Sequence, residues 1–245
     1  QYNCKNQCTR EERKLSDTQT QTIVYEYDKA GRLIKEAVST RENDGRIEYA
    51  VTRYGYDKTG NCTNIRLPEG GEILREYNAA DRLIAETHID KKGGIHNRTG
   101  FTYDKAGNLI CITDNQGNKI QIEYDLLNRE TRTMERDGGV TRQFNGLNGN
   151  VIKRINPNAY HKNQENGPGY LYIYDLQGRV SKIIVPDGNI LQKNIYDRVG
   201  RLLRQTDSMD SGMEYTYNYA GDSVYFRTTG GATQELVYDY HLSLQ

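Results

Sequence analysis

The sequence predicts an all-β protein built as one continuous antiparallel β-hairpin meander, a β-spiral of about twenty strands. Three observations predict it. A short phrase, Tyr-Asp-x-x-Gly-Arg-Leu, returns at a near-constant interval along the whole chain. A second turn signal, rich in Asp, Asn and Gly, falls roughly midway between successive phrases. The segments between turns, such as Lys119-Ile120-Gln121-Ile122-Glu123-Tyr124, alternate apolar and polar side chains with the period of two that marks a half-buried strand. No segment shows a helical period.

The clearest copies are Tyr27-Asp28-Lys29-Ala30-Gly31-Arg32-Leu33, Tyr103-Asp104-Lys105-Ala106-Gly107-Asn108-Leu109, Tyr174-Asp175-Leu176-Gln177-Gly178-Arg179-Val180 and Tyr196-Asp197-Arg198-Val199-Gly200-Arg201-Leu202. Weaker copies begin at Tyr56 (Asp57, Gly60), Tyr77 (Asn78, Asp81, Leu83), Tyr124 (Asp125, Asn128), Phe144 (Asn145, Asn148), Tyr217 (Asn218, Gly221) and Tyr238 (Asp239, Leu242). Tyr2-Asn3-Cys4-Lys5-Asn6-Gln7-Cys8 reads as a degenerate first copy. The starts at 2, 27, 56, 77, 103, 124, 144, 174, 196, 217 and 238 give a basic unit of about 21 residues, with insertions accounting for the longer intervals. The array runs from residue 1 to 245 without a domain boundary, and neither end resembles a capping unit, so a segment of a larger protein is expected.

Each position of the phrase has a physical reason. The Gly supplies a left-handed backbone without a steric penalty; Asn128 and Asn148 stand in as the next best residue, with Asp81 and Leu242 poorer. The Asp accepts hydrogen bonds from amides of its own turn. The Tyr closes its strand with a flat face and a hydroxyl that still reaches a partner, and a ladder of such rings is the expected spine of the sheet. Asn43-Asp44-Gly45, Pro68-Glu69-Gly70-Gly71, Asn115-Gln116-Gly117-Asn118, Asp137-Gly138-Gly139, Pro186-Asp187-Gly188-Asn189 and Thr229-Gly230-Gly231 supply the midway turns.

Composition agrees. The chain holds 20 Tyr, 3 Phe and no Trp, and 24 Gly against 4 Pro, so its turns rest on Gly. Its hydrophobic fraction of 35 % lies below the ~45–50 % of an ordinary domain, which suits a thin, wet sheet rather than a thick core. Lys plus Arg equals Asp plus Glu at 33 each, which gives no electrostatic case for nucleic acid or an anionic surface. No apolar run approaches the ~20 residues of a membrane span.

The recurring phrase resembles the YD repeat of the Rhs (rearrangement hotspot) and wall-associated proteins, also found in toxin-complex shell subunits and teneurins. The resemblance covers nearly the whole chain. It implies a spiralling sheet that wraps into a hollow shell, and a secreted or cell-surface location. In bacterial members the shell encloses a toxin carried at the C-terminus; in surface members it serves as an adhesion scaffold. An Asp-Pro self-cleavage motif common in Rhs proteins is missing: the four Pro follow Leu67, Asn156, Gly167 and Val185. The main rival fold is a β-propeller, whose four-stranded blades would each hold two of these units.

Candidate sites are few. Cys4 and Cys8 form a C-x-x-x-C pair, but Cys8 and Cys62 occupy the Leu slot of their copies, which favours small buried apolar side chains over a metal site or a disulfide. His88, His96, His161 and His241 assemble with no nucleophile or metal-ligand spacing. Asn61-Cys62-Thr63 and Asn97-Arg98-Thr99 fit a glycosylation pattern that matters only in a eukaryotic secretory route. The long polar insertion at residues 156–169 is the candidate contact loop, with Asn158, Tyr160, His161 and Lys162 as its contact residues; residues 39–46 make a weaker case. The expected function is a structural shell segment of an Rhs-type toxin or secreted protein, with the toxin domain of the same parent chain as cargo. The alternative is a cell-surface adhesin or carbohydrate-binding array with a surface glycan or protein as partner. No catalytic residue, cofactor or metal is expected, and an enzyme is the least favoured class.

Overall fold

The computed structural model describes residues 1–15, 20–41, 47–162, 164–218, 220–221, 223–228 and 233–235. Among these, the only helical piece is a 3-10 turn at Pro157–Ala159. The chain forms two compact units, residues 1–121 and 122–245.

The first unit holds β1 (Arg10–Lys14), β2 (Thr20–Tyr27), β3 (Leu33–Arg41), β4 (Ile47–Tyr56), β5 (Cys62–Arg66), β6 (Glu72–Tyr77), β7 (Leu83–Ile89), β8 (Ile95–Tyr103), β9 (Leu109–Thr113) and the start of β10 (Lys119–Tyr124), within which the division falls. Every strand pairs antiparallel with the next in sequence, from β1–β2 through to β9–β10. The second unit holds β11 (Glu130–Met134), β12 (Val140–Asn145), β13 (Val151–Ile155), β14 (Tyr170–Tyr174), β15 (Val180–Ile184), β16 (Ile190–Tyr196), β17 (Leu202–Thr206), β18 (Gly212–Tyr217), β19 (Ser223–Thr228) and β20 (Thr233–Glu235). Its strands likewise pair in sequence order from β11 to β20. A propeller would break its ladder after every fourth strand. These ladders run unbroken through each unit, so the architecture is a meander.

Among the described residues, the hairpin turns other than the 156–169 connection share one backbone construction. At the Tyr-Asp turn, the Asp28 N–H donates to Arg32 O at 2.9 Å and the Gly31 N–H donates to Asp28 O at 3.0 Å, with Gly31 at φ +88°. At the midway turn, Asp114 and Asn118 are joined at 3.0 Å, the Gly117 N–H reaches Asp114 O at 3.1 Å, and Gly117 has φ +86°. This is the three-residue hairpin, a type I turn closed by a left-handed residue. Asp81 and Asn128 take that role at φ 54° and 59°, as the sequence predicts. The midway turns at 43–45 and 229–231, the copy at Tyr238 and Asp239, and His241 lie outside the described residues.

One start is corrected. In the copy assigned to Phe144, the Gly146 N–H donates to Asn150 O, and Gly149, at φ +89°, carries the left-handed turn. The pair Asn145↔Val151 therefore matches Tyr27↔Leu33, and the copy begins at Asn145, one residue later. An aromatic residue next to the true first position masks the register, and Asn148 is not the left-handed residue.

After the Tyr-Asp turn, the return strand gains one extra residue. Tyr27 faces Leu33, whereas Glu26 faces Lys35, leaving Ile34 bulged. The same step leaves out Thr63, Ile84, Ile110, Ile152, Ser181, Leu203 and Val224. Bulges re-aim side chains and increase local twist. Where the bulged residue carries a hydroxyl it can return to the partner strand: Ser181 donates to Ile173 O at 3.1 Å. Burial is thin. Among the described residues the buried apolar side chains are Ile23, Ala37, Ala85, Val140 and Ile155, so the fold cannot depend on a thick core.

Candidate functional site

With little core available, the turns carry a second layer of bonds. In the full phrase the Asp works with both oxygens. Asp197 Oδ1 accepts the N–H groups of Val199 (3.0 Å) and Arg201 (2.8 Å), while Oδ2 accepts Arg201 Nε at 2.7 Å. Asp28, Asp125 and Asp175 hold Arg32, Arg129 and Arg179 in the same way, with Nε to Oδ2 distances of 2.7, 2.7 and 2.6 Å. A carboxylate that accepts several such bonds resists protonation. The Arg32 N–H and then its guanidinium lower Asp28, and the Arg129 guanidinium lowers Asp125. Desolvation pushes Asp57 up, but bonds from Thr59, Asn61 and Gly60 outweigh it and leave the carboxyl at about 2.

The Arg, once aimed, reaches the next copy. Arg32 lies 4.7 Å from the centre of the Tyr56 ring, Arg179 lies 4.5 Å from Tyr196, and Arg201 lies 4.7 Å from Tyr217. Arg82 over Tyr103, at 5.5 Å, completes the set. Three of these guanidiniums also donate from Nη1 to a turn carbonyl of that next copy: Arg32 to Asp57 O at 3.3 Å, Arg179 to Asp197 O at 3.2 Å and Arg201 to Asn218 O at 3.3 Å.

The Tyr hydroxyl answers in the opposite direction. Each donates to the backbone carbonyl at the seventh position of the preceding copy: Tyr27 to Cys8 (2.8 Å), Tyr56 to Leu33 (2.7 Å), Tyr77 to Cys62 (3.1 Å), Tyr103 to Leu83 (2.9 Å), Tyr174 to Val151 (2.7 Å), Tyr196 to Val180 (3.0 Å) and Tyr217 to Leu202 (2.8 Å). These seven copies are thus latched to their predecessors by a hydroxyl, and several also by a stacked guanidinium. The sequence suggested that the Tyr would reach a partner; that the partner is one fixed carbonyl of the previous copy is not visible in it.

Departures from the phrase preserve the arrangement. Asn61 and Asn108 replace Arg and donate from Nδ2 to Asp57 and Asp104 at 3.1 and 2.9 Å. The first copy uses amides throughout: Asn3 Oδ1 accepts the Lys5 and Gln7 N–H groups, and Asn3 Nδ2 donates to Gln7 Oε1 at 3.0 Å. At the corrected copy, Asn145 takes the place of Tyr, and its Nδ2 donates to Glu130 O at 2.9 Å, the carbonyl a hydroxyl would otherwise reach. Arg129 still bridges to that copy, through Gly146 O at 2.6 Å.

The remaining candidates disperse. Cys4 is exposed and Cys8, Cys62 and Cys111 are half-buried, all as free thiols. Among the described residues no cluster of three His, Cys, Asp or Glu could hold a metal, and no helix is long and apolar enough to cross a membrane. His88 Nε2 lies 2.9 Å from Glu86 Oε1, and Glu86 also pairs with Arg75 at 2.8 Å. His88, then Arg75, hold the Glu86 carboxyl below its ordinary value. His96 is exposed.

The 156–169 insertion turns back onto its own sheet. Ile155 is fully buried at its root, and Gly167 and Gly169 are buried. Lys153 Nζ donates to Asn166 Oδ1 at 2.8 Å, and Arg132 lies 5.9 Å from the Tyr160 ring. Of the candidate contact residues, Tyr160 is half-buried while Asn158, His161 and Lys162 face solvent.

A family model described as Teneurin YD-shell matches residues 1–184. The chain belongs to that family. This YD-shell chain is also 26 % identical over 203 residues to a probable deoxyribonuclease RhsB of Dickeya dadantii (strain 3937), a match covering 72 % of this chain and 14 % of that protein. Its fold is similar to the Tc holotoxin pore structure of Photorhabdus luminescens, with a TM-score of 0.53 at 14 % identity, covering 89 % of this chain and 13 % of that one. The YD-shell chain therefore spans about a seventh of the length of these relatives.

Proposed function

We propose that this chain is a wall segment of a YD shell whose task is to enclose a polypeptide carried by the same parent protein. One observation carries the reading: the Tyr-to-carbonyl latch repeats in seven copies with the same donor and acceptor positions. A residue used that often is a building element, and a wall needs one. The name of the Dickeya relative, a probable deoxyribonuclease, fits a parent that joins a shell to a toxic enzyme outside the matched region. The intervals from Tyr103 to Tyr124 and from Tyr124 to Asn145 are both 21 residues, so the repeat crosses the division between units without interruption, as a single array would.

On this reading the segment is not itself an enzyme, and the parent is secreted or displayed at the cell surface. The carbohydrate-binding alternative is weakened by the latch. The Tyr56, Tyr103, Tyr196 and Tyr217 rings each carry a guanidinium over one face, which removes that face from sugar stacking.

The test is limited proteolysis of the full-length parent. Cargo protected in the parent and cut once Tyr174→Ala and Tyr196→Ala open the wall is the expected result. Cargo cut equally fast in the unaltered parent would refute enclosure.

A further inference from the structure

Residues that face each other across paired strands share one face of the sheet, and like charges set opposite repel. Arg53 on β4 faces Lys35 on β3 and Arg66 on β5. Three cations therefore stand on three adjacent strands, at the strand spacing of roughly 4.8 Å. The outer two are relieved outward. Lys35 pairs with Glu26 at 2.6 Å, and Arg66 Nε donates to Glu72 Oε1 at 3.1 Å. The Arg53 guanidinium, exposed between them, has no hydrogen bond or ion pair among the described residues. Other basic residues set in rows are balanced. Glu214 lies between Arg204 and Arg227. Glu123 reaches both members of the facing pair Arg132 and Arg142, and Asp210 lies 3.7 Å from Lys193, which faces Lys182.

Arg53 and Arg66 line an open groove of about 290 Å³ beside the turn that joins β5 to β6. Val51, two residues before Arg53 on the same face, and the 40 % exposed Leu67 give the groove an apolar wall. Gly70 and Gly71 line it without side chains. Glu72 lines it too, but Asn64 Nδ2 and Arg66 Nε both donate to its Oε1, so its charge is already held.

We propose that this groove binds a carboxylate with an apolar group beside it, as an acidic peptide residue next to an aliphatic one presents. The ligand follows from shape and charge. A guanidinium fork matches a planar carboxylate. The chain already uses that pairing at Arg32, whose Nε and Nη2 both reach Asp28 Oδ2 at 2.7 Å. One unpaired cation calls for one negative charge, which favours a carboxylate over a dianionic phosphate. The bound charge would lie among the three cations and relieve the repulsion between them, and the apolar group would cover Val51 and Leu67. Such a site would serve equally on a wall that enclosed nothing.

The test is an NMR titration of the 245-residue chain at neutral pH with N-acetyl-leucine, which sets a carboxylate beside a leucyl side chain. N-acetyl-leucinamide and inorganic phosphate are the comparison ligands. A ligand this small, held by one ion pair, should bind with a Kd on the order of 1–10 mM. The expected shifts fall at the amides of Arg53, Arg66, Gly70 and Gly71 with the carboxylate and are missing with the neutral amide. Arg53→Gln weakens binding about tenfold or more. Arg53→Lys, which keeps the charge and loses the fork, recovers part of it, and Arg98→Gln changes nothing. Because Arg53→Gln also removes the repulsion, its thermal midpoint stays level or rises, as a purely structural residue would not allow. Equal shifts with the neutral amide, binding indifferent to Arg53→Gln, a midpoint that falls in that variant, or phosphate binding the same amides more tightly than the carboxylate would overturn the proposal.

Discussion

The two ends of a hairpin share a backbone and a carboxylate that caps it, and differ in where the bonds lead next. At Asp207, Oδ1 accepts the N–H groups of Met209 and Ser211 at 2.8 and 2.9 Å, much as Asp197 Oδ1 accepts those of Val199 and Arg201. At Asp197 the chain of bonds then leaves the turn, through Arg201 to the Tyr217 ring and the Asn218 carbonyl. One end is a turn; the other is a turn and a joint. Backbone geometry alone therefore does not distinguish a connection from a structural node. The side chain at the sixth position and the ring of the following copy do.

The strongest way to break this contrast is to remove a ring. Tyr196→Ala takes away a half-buried ring, its Arg179 stack and its bond to Val180, and should cost about 2–3 kcal/mol, measured by urea unfolding; Met209→Ala at the other end, where the side chain is 87 % exposed, should stay within ~0.5 kcal/mol. A near-equal effect would show that the latch contributes little.

Gly107 and Gly117 follow in size. Both need a left-handed backbone, at φ +100° and +86°, and Ala at either should cost about 1–2 kcal/mol. A Cβ on Gly107 would also come within 2.7 Å of Arg82 Nη1, whereas Gly117 has open space around it. The Gly107→Ala loss should be the larger, and hydrogen exchange should show that excess at Tyr103 and its neighbours. Tyr196→Phe isolates the hydroxyl and should cost about 1 kcal/mol.

Asn145→Tyr runs the other way. It offers a hydroxyl to Glu130 O and a ring to Arg129, and should raise the urea midpoint by an amount equivalent to ~1 kcal/mol or less. The smallest effect is acid sensitivity. Asp57 has its folded value lowered to about 2 from an unfolded 3.8, so its contribution is complete above the unfolded value and disappears as pH falls from about 4 to 2. Asp57→Asn should flatten the pH dependence of thermal stability in that window.

Much of the fold was legible because the turn residues are dictated by backbone sterics. A left-handed position calls for Gly or Asn wherever it occurs, and alternation reports a half-wet strand. The Cys8 and Cys62 slots were legible only in register: each sits at the seventh position of its copy, but both are half-buried rather than buried, because the thin sheet has little core to cover them. Two things were not. Phe144 stands where a phrase would begin, and only the turn bonds at Gly146 and Gly149 reveal Asn145 as the first residue. The folding-back of residues 156–169 depends on contacts with β13 and Arg132 that have no sequence period. The latch was half legible. A Tyr with a free hydroxyl needs an acceptor, but the acceptor is a backbone carbonyl some twenty residues earlier, and backbone carbonyls leave no trace in a sequence.

The direction of that latch has a consequence for how such a chain is made. In all seven hydroxyl latches, the hydroxyl belongs to the later residue and the carbonyl to the earlier one. A chain leaving the ribosome N-terminus first therefore presents each socket before synthesising the ring that fills it. Closure can follow synthesis one hairpin at a time, with the growing edge always the most recently made. Long sheets otherwise wait for distant partners; here each strand's partner is the one just completed.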